Sequence, residues 1–310
     1  MMRLSVSAVI PAYNRECFIG DAIRSVLRQE RPVDQIVVVD DGSTDCTTEI
    51  VDQFPQVELV RLTSNTGTAA ARNRGIESAR GDVIAWLDSD DTWLPHHVET
   101  VVPLLERNDD AVLAFGLVQL VGTRGGVWPT FDVPAGELFD GLRHSFRRTV
   151  PPMMAAVTRR RAVNDVNGFD ESMRAAVDFS LCLRLAAVGP FIRTEQVTAV
   201  YRWHGDQISA QPLRQTQAMY RARRTMLSAL RAAGRDSEAD TLTGDLLSLL
   251  ESDLWVAWTR RDIAAVRALV ALGEELGGTA KLIAPFRRRQ HVPRRAILAW
   301  DWMWRREANS

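Results

Sequence analysis

Gln35-Ile36-Val37-Val38-Val39-Asp40-Asp41-Gly42-Ser43-Thr44-Asp45 is the stretch that decides the fold: a run of β-branched residues ends abruptly on two carboxylates and a Gly-Ser turn. A short run that is apolar at every position reads as a strand buried on both faces, the form strands take in a parallel sheet. Working outward, further strands are expected at Ser5–Ile10, Val57–Leu62, Val83–Leu87 and Val112–Gly116. Between them, helical periodicity falls near Phe18–Gln29, Thr47–Phe54, Ala69–Ala79 and Leu94–Glu106. Strands alternating with helices are the sequence form of βα units around a mostly parallel sheet.

From Gln119 to Val150 the period breaks at Gly122, Gly125, Gly126, Pro129, Pro134 and Gly136, so a loop region is expected. Met153–Thr158 reads as a further strand, Val177–Val188 as a helix, and Phe191–Thr194 with Thr198–Trp203 as closing strands. Beyond Pro212 the pattern changes to long Ala/Leu/Arg helices. The expected division is an α/β domain over residues 1–209 and a helical C-terminal region over residues 210–310.

The 38 Lys and Arg residues against 39 Asp and Glu give a formal charge of −1, which offers no general case for nucleic-acid binding. Locally, the chain from Lys281 onward carries a net of about +6, a basic patch suited to an anionic surface. Cys17, Cys46 and Cys182 are widely spaced with no CxxC pair, which fits a reducing, cytoplasmic setting. The apolar run Leu4–Ile10 is stopped by Pro11 and lacks the form of a signal peptide. Ala111–Val121 is far short of the roughly 20 residues needed to cross a bilayer.

Five constellations carry chemistry. Asp40 and Asp41 stand at the end of a buried strand, where α/β sheets bind ligands and a carboxylate can accept from a base N–H or a ribose hydroxyl; Thr44 or Asp45 is the candidate cap of the following helix. Asp88-Ser89-Asp90-Asp91 again follows a buried strand, and such crowded carboxylates call for a cation; Mg²⁺ or Mn²⁺ with a diphosphate suits hard oxygen donors. A solvated acidic turn is the alternative reading. Asn65-Thr66-Gly67-Thr68 opens a helix with small residues, and Arg72 on its first turns suits a phosphate or a polarised base oxygen, or else a surface ion pair. Asp178, set among Ala175, Ala176 and Val177, is either a general base or an N-cap. Tyr201-Arg202-Trp203-His204 ends a strand with groups suited to a diphosphate or its metal.

Taken in order, these segments resemble the family 2 glycosyltransferases. The match opens with Val6-Ser7-Ala8-Val9-Ile10-Pro11-Ala12-Tyr13-Asn14 and Val38–Asp45, and passes through Asn65-x-Gly67 and Ala71-Arg72-Asn73. It then reaches Asp88-Ser89-Asp90-Asp91, Gly168-Phe169-Asp170-Glu171, Asp178 and Tyr201-Arg202-x-His204, over roughly residues 4–209. The resemblance implies the GT-A fold, a Rossmann-like, mixed and mostly parallel sheet flanked by helices, here with an all-helical C-terminal appendage. It implies that Pro11, Tyr13 and Asp41 line a nucleobase pocket, with Asn14, Asp40 and Ser89 also in the nucleotide-sugar site. Arg72 would hold the base or diphosphate, Asp88 the ribose, and Asp90, Asp91 and His204 a divalent Mn²⁺ or Mg²⁺ in the manner of a DXD motif. Which of Asp90 and Asp91 touches the metal stays open.

At the position of the family's catalytic base stands Asp178, which implies inversion at the anomeric carbon. The family often has Glu-Asp here, whereas this chain has Val177-Asp178; losing a like charge lowers the base's pKa, and the apolar neighbour offsets part of that. The implied function is transfer of a sugar from a nucleotide diphosphate donor, UDP-sugar favoured, to an acceptor hydroxyl in bacterial polysaccharide, cell-envelope or glycoconjugate synthesis. A sugar-nucleotide nucleotidyltransferase is the rival enzyme, opposed by Pro11-Ala12-Tyr13-Asn14 where a Gly-rich basic loop would stand; a non-catalytic nucleotide-sugar binding protein is the other. A dinucleotide oxidoreductase lacks its GxGxxG. Outside the resemblance, Trp255, Trp258, Trp300, Trp302 and Trp304 with the C-terminal arginines read first as a helical bundle with a basic face. Peripheral contact with an anionic membrane, a lipid-linked acceptor or a homodimer are the other readings.

Overall fold

The structure is a computed structural model that describes residues 3–122, 125–128, 133–147, 150–203, 212–276 and 280–289. Val37, Val38 and Val39 are completely buried in it. They belong to strand β2 (Gln35–Asp40), which lies between two parallel neighbours, β1 (Val6–Ala12) and β3 (Val57–Arg61). Helices α1 (Ile19–Leu27) and α2 (Thr47–Val51) make the crossovers. The first turns Ile19, Ala22, Ile23 and Val26 into the core, the i, i+3, i+4, i+7 stripe of an amphipathic helix.

The chain then recrosses through α3 (Thr68–Ser78) to place β4 (Val83–Trp86) on the far side of β1. This helix lies close on the sheet at Gly75, where a Cβ would stand 2.3 Å from Val9 Cγ1. The strand order β3-β2-β1-β4 thus reverses direction around β1, and at such a switch point a cleft opens outside the carboxyl ends of the strands.

Beyond β4 come β5 (Thr92–Trp93), α4 (His97–Arg107), β6 (Leu113–Gly122), β7 (Gly126–Trp128) and α5 (Gly141–Arg147). A 3₁₀ turn at Met153–Ala155 leads into β8 (Ala156–Arg159), α6 (Arg160–Asp165), α7 (Val177–Ala186) and β9 (Phe191–Trp203). Here the sheet becomes mixed. Strand β8 is antiparallel to β4 and β6, β9 is parallel to β6, and β5 is an antiparallel edge on β9. The nine-stranded sheet runs β3-β2-β1-β4-β8-β6-β9-β5, with β7 on β6. A mixed sheet with flanking helices is the architecture expected.

Three local expectations are corrected. The loop expected from Gln119 begins later, because β6 continues to Gly122 on the ladder offered by β9; glycines 122 and 126, at φ +103 and +115, then turn the chain into β7. The two closing strands are one, β9, whose ladder with β6 absorbs a register shift around Gly116. A Cβ at Gly116 would meet Thr198 Oγ1 at 2.2 Å, so only glycine permits that close approach. The strand expected from Met153 starts at Ala156.

The chain forms two compact units, Met1–Ala222 and Arg223–Ser310. The second is all helix among its described residues, formed by the end of α8 (Pro212–Ala232), α9 (Asp236–Thr259), α10 (Ile263–Leu276) and α11 (Ala280–Arg289). Helix α9 buries Ala239, Leu242, Leu246, Leu250, Leu254 and Ala257 at helical spacing. Trp258 is buried, whereas Trp255 is 44% exposed and meets Phe286 edge-on at 5.1 Å. Trp300, Trp302 and Trp304 lie outside the described residues. Among the described residues no helix is long and apolar enough to cross a membrane.

His97 is wholly buried at the start of α4, stacked on Trp93 with ring centroids 4.4 Å apart and with Nδ1 3.0 Å from Thr198 Oγ1. Its Nε2 has no partner, and burial, with His96 nearby, pushes its pKa down from 6.5 to about 3. The unfolded chain therefore takes up this proton first, and stability is lost as pH falls below the unfolded value. We expect urea denaturation to show the native protein losing up to about 1.4 kcal/mol per pH unit below about pH 6.5 through this group. His97→Phe, which keeps the stack on Trp93, is expected to flatten that acid limb; an unchanged slope refutes the assignment.

Candidate active site

Strands β1, β2 and β4 all deliver polar residues to the switch point. At the end of β1, Pro11 and Ala12 are buried; beyond it Tyr13 is 40% exposed, and Asn14 turns at φ +50. The Asn14 amide donates to Ser43 Oγ at 2.9 Å, and Thr44 N–H donates back to Asn14 Oδ1 at 2.8 Å. These bonds lash the loops after β1 and β2 together.

The two carboxylates ending β2 have different surroundings. Asp41 accepts from Thr66 N–H and Thr66 Oγ1, both at 2.7 Å, and from Gly67 N–H at 2.8 Å. It thereby pins the loop that opens α3, where Gly67 takes φ +99. The Asp40 carboxylate accepts from Ser43 N–H at 3.1 Å through Oδ2, while its buried Oδ1 meets no partner among the described residues.

Arg72 is the centre of the site. Its side chain, on α3, is almost fully buried at 4% exposure. One guanidinium nitrogen donates to Asp178 Oδ1, the other to Asp88 Oδ1 at 2.6 Å, and the group lies over the Phe169 ring, 5.3 Å from its centroid. A charge-assisted fork of this kind fixes orientation as well as energy. Asp178 stands in the first turn of α7, directly after Val177 and the left-handed Ala176 at φ +52. Desolvation pushes the Asp178 pKa up, Arg72 pulls it down, and Asp88 adds a second upward push.

The turn after β4 closes with Asp91 N–H on Asp88 C=O at 3.0 Å. Ser89 is buried, Asp90 lies 3.5 Å from Arg15 Nε, and Asp91 is wholly buried. Asp91 Oδ1 accepts from Arg202 N–H of β9 at 2.9 Å, and Oδ2 has no partner. Burial, with Asp88 and Asp90 adding like charge, raises the Asp91 pKa well above the usual carboxylate range. Among the described residues no three His, Cys, Asp or Glu side chains converge as a self-sufficient metal site. His204 lies outside the described residues. A Mg²⁺ or Mn²⁺ bound with a diphosphate needs only one or two protein carboxylates, and Asp90 with the orphaned Asp91 Oδ2 fits that donor chemistry.

Of the expected site residues, Asp88, Arg72 and Asp178 are brought into direct contact, and Tyr13, Asn14, Asp40 and Asp41 gather on the adjoining loops. Reading the sequence missed the partners: Arg15 against Asp90, Phe169 beneath Arg72, and the β9 backbone on Asp91. Phe169 could have been suspected, as an aromatic between a turn glycine and two acids.

A reversed βαβ sheet with carboxylates at the ends of β2 and β4 has the form of a nucleotide-binding α/β protein. Residues 7–166, just over half of the chain, match the model of Glycosyl transferase family 2, and the chain belongs to that family. Its sequence is 33% identical over 217 residues to the succinoglycan biosynthesis protein ExoO of Rhizobium meliloti, covering 64% of this chain and 60% of that one. The chain spans less than two thirds of the length of the curated relatives it matches. Its fold is shared with S. aureus TarS 1–349 in complex with UDP-GlcNAc, at TM-score 0.71 and 18% identity, covering 90% of this chain and 83% of that one. The mannosyltransferase PcManGT of Pyrobaculum calidifontis, solved with GDP-Man and Mn²⁺, follows at TM-score 0.61 and 20% identity over 94% and 84%. These structures bear out the GT-A fold expected from the sequence.

The Asp41 contacts make a prediction in the absence of any ligand. Asp41→Asn turns one acceptor oxygen into a donor that faces an N–H, so a buried bond is lost and a polar group orphaned. We expect stability to fall by about 1–3 kcal/mol in urea denaturation. An unchanged midpoint and slope would show that the loop holds without this carboxylate.

Proposed function

We propose that the chain is an inverting glycosyltransferase that moves a sugar from a nucleotide diphosphate donor, UDP-sugar first, to an acceptor hydroxyl during polysaccharide, cell-envelope or glycoconjugate synthesis. Membership of family 2 and the polysaccharide role in ExoO's name support the class of reaction. UDP-GlcNAc in TarS supports the choice of donor. The carrying observation is the contact of Arg72 with Asp88 and Asp178 at the sheet's switch point, which joins a nucleotide-facing strand end to a carboxylate of raised pKa.

Catalysis is assigned to residues 1–209, leaving the helices of 210–310 an accessory role. Pro11, Tyr13 and Asp41 receive the base, Asp88 the ribose, and Arg72 the base or diphosphate, with Asn14, Asp40 and Ser89 also in the nucleotide-sugar site. Asp178 takes the acceptor hydroxyl's proton as that oxygen bonds to the anomeric carbon from the face opposite the leaving group. The bond from the anomeric carbon to the diphosphate breaks in the same displacement, so configuration inverts. Asp90 and Asp91, with His204, would hold a Mn²⁺ or Mg²⁺, whose chemistry here is to offset charge on the departing diphosphate. Arg202, lying 3.1 Å from Asp21, and Arg15 on Asp90 keep cationic groups at the rim of the same cleft.

Thermal shift of the purified chain with UDP, GDP, dTDP or CDP, each with and without Mn²⁺, tests the donor site, because a ligand of the native state raises Tm. One nucleotide is expected to raise Tm, more so with metal. The Asp178→Asn variant is expected to keep that shift while nucleotide diphosphate release from the matching donor falls by about 10²–10⁴-fold. No shift with any nucleotide sinks the reading; a shift with unaltered turnover in Asp178→Asn removes the base from its role.

A further inference from the structure

Two segments quoted for the family resemblance, Asn73 and Gly168-Phe169, have no part in the function so far, yet the structure joins them. Asn73 Nδ2 donates to Phe169 C=O at 2.9 Å and to Glu171 Oε1 at 2.8 Å, and Phe169 N–H donates to Asn73 Oδ1 at 2.8 Å. One side-chain amide thus satisfies both backbone groups of Phe169, as a neighbouring strand would. The approach is close: a Cβ on Gly168, which sits at φ +61, would lie 2.5 Å from Asn73 Oδ1.

Phe169 is 2% exposed and is held from two sides. Its ring meets Trp86 edge-on, centroids 5.3 Å apart at 83°, and Trp86 is itself fixed by donating Nε1–H to Thr158 Oγ1 at 2.9 Å. The other face of this arrangement is the Arg72 guanidinium, 5.3 Å from the Phe169 centroid. Arg72 and Asn73 are adjacent on α3, so their side chains leave the helix about 100° apart. One reaches the cleft; the other reaches the turn that brings Phe169 back under its neighbour. An arginine with two acidic partners can swivel about its stem, and a flat ring beneath the guanidinium restricts it to one plane.

We infer that Asn73 and Phe169 are positioning residues: the amide clamps the 168–169 turn so that the Phe169 ring holds the Arg72 fork facing Asp88 and Asp178. This inference rests on the proposed function for the role of Arg72. It differs from a simple packing role in one measurable respect. Losing the ring's hold on Arg72 matters only while Arg72 is there to be held.

The test is a double-mutant cycle. Phe169→Leu and Asn73→Asp are each made in the parent and in Arg72→Met, and the affinity for whichever nucleoside diphosphate gives the largest thermal shift is measured by calorimetry. Asn73→Asp removes no volume and faces a carboxylate oxygen against Phe169 C=O, so it opens the clamp without a cavity. If Phe169→Leu fails to fold, it carries the comparison alone. We expect either change to weaken nucleotide binding by about tenfold beside Arg72, and by less than about twofold in Arg72→Met, a coupling of the size contacting residues show. Equal losses in both backgrounds, or no loss in the parent, overturn the inference while leaving the transferase reading intact. A parent that binds no nucleotide overturns both.

Discussion

A guanidinium taken out of water must be met by charge, and Arg72, at 4% exposure, is met by two carboxylates from distant parts of the chain. The partners are only half-buried, with 26% of the Asp88 side chain and 37% of the Asp178 side chain exposed, so solvent screens each pair in part. The buried guanidinium still ties the three residues together. Asp88 comes from the turn after β4, Asp178 from the first turn of α7, and Arg72 from α3. The ion pairs therefore tie together the half-sheet that carries the strand-end carboxylates and the later segment that carries Asp178. Local strain is tolerated at this junction, where Ala176 keeps a left-handed backbone beside Asp178.

The carboxylates of the cleft divide by how fully they are satisfied. Asp41 accepts three bonds and acts as a brace, and its loss loosens the loop before α3. Among the described residues Asp40 and Asp91 each keep a buried oxygen without a partner, a cost that a bound water, ion or ligand would offset. Asp91 also anchors β9 through Arg202 N–H, so a single residue serves both the sheet and the cleft. The raised pKa of Asp91 follows from the same crowding of Asp88, Asp90 and Asp91 that makes a cation an apt counterweight.

Much of this was legible in the sequence. The β2 run, the α1 stripe and the order of strand-end carboxylates are local patterns, and local patterns carry to the structure nearly residue for residue. What was not legible depends on pairing across the sheet. Strand β6 runs on to Gly122 only because β9 lies beside it, and β5 is two residues held by β9 after the Asp91 turn. The sequence does not separate the roles of Asp90 and Asp91, because nothing near Asp91 in sequence announces Arg202, 111 residues away. Phe169 and Asn73 were likewise visible as motifs, but their contact spans 96 residues.

The geometry also bears on how a donor enters. The Arg72 fork has both of its terminal nitrogens engaged, one by Asp88 and one by Asp178. Each terminal nitrogen keeps a second N–H, so a nucleotide oxygen that pairs with Arg72 competes with the two carboxylates for its charge, not for its last donor. In the proposed reaction, an anionic oxygen drawn to the guanidinium weakens the pull by which Arg72 lowers the Asp178 pKa and leaves desolvation and Asp88 to raise it. Under the proposed function, donor capture and the readiness of Asp178 are then coupled, because both draw on the charge of the same guanidinium. That coupling requires Arg72 to be shared in a fixed geometry, which a ring below it and a clamp behind the ring supply.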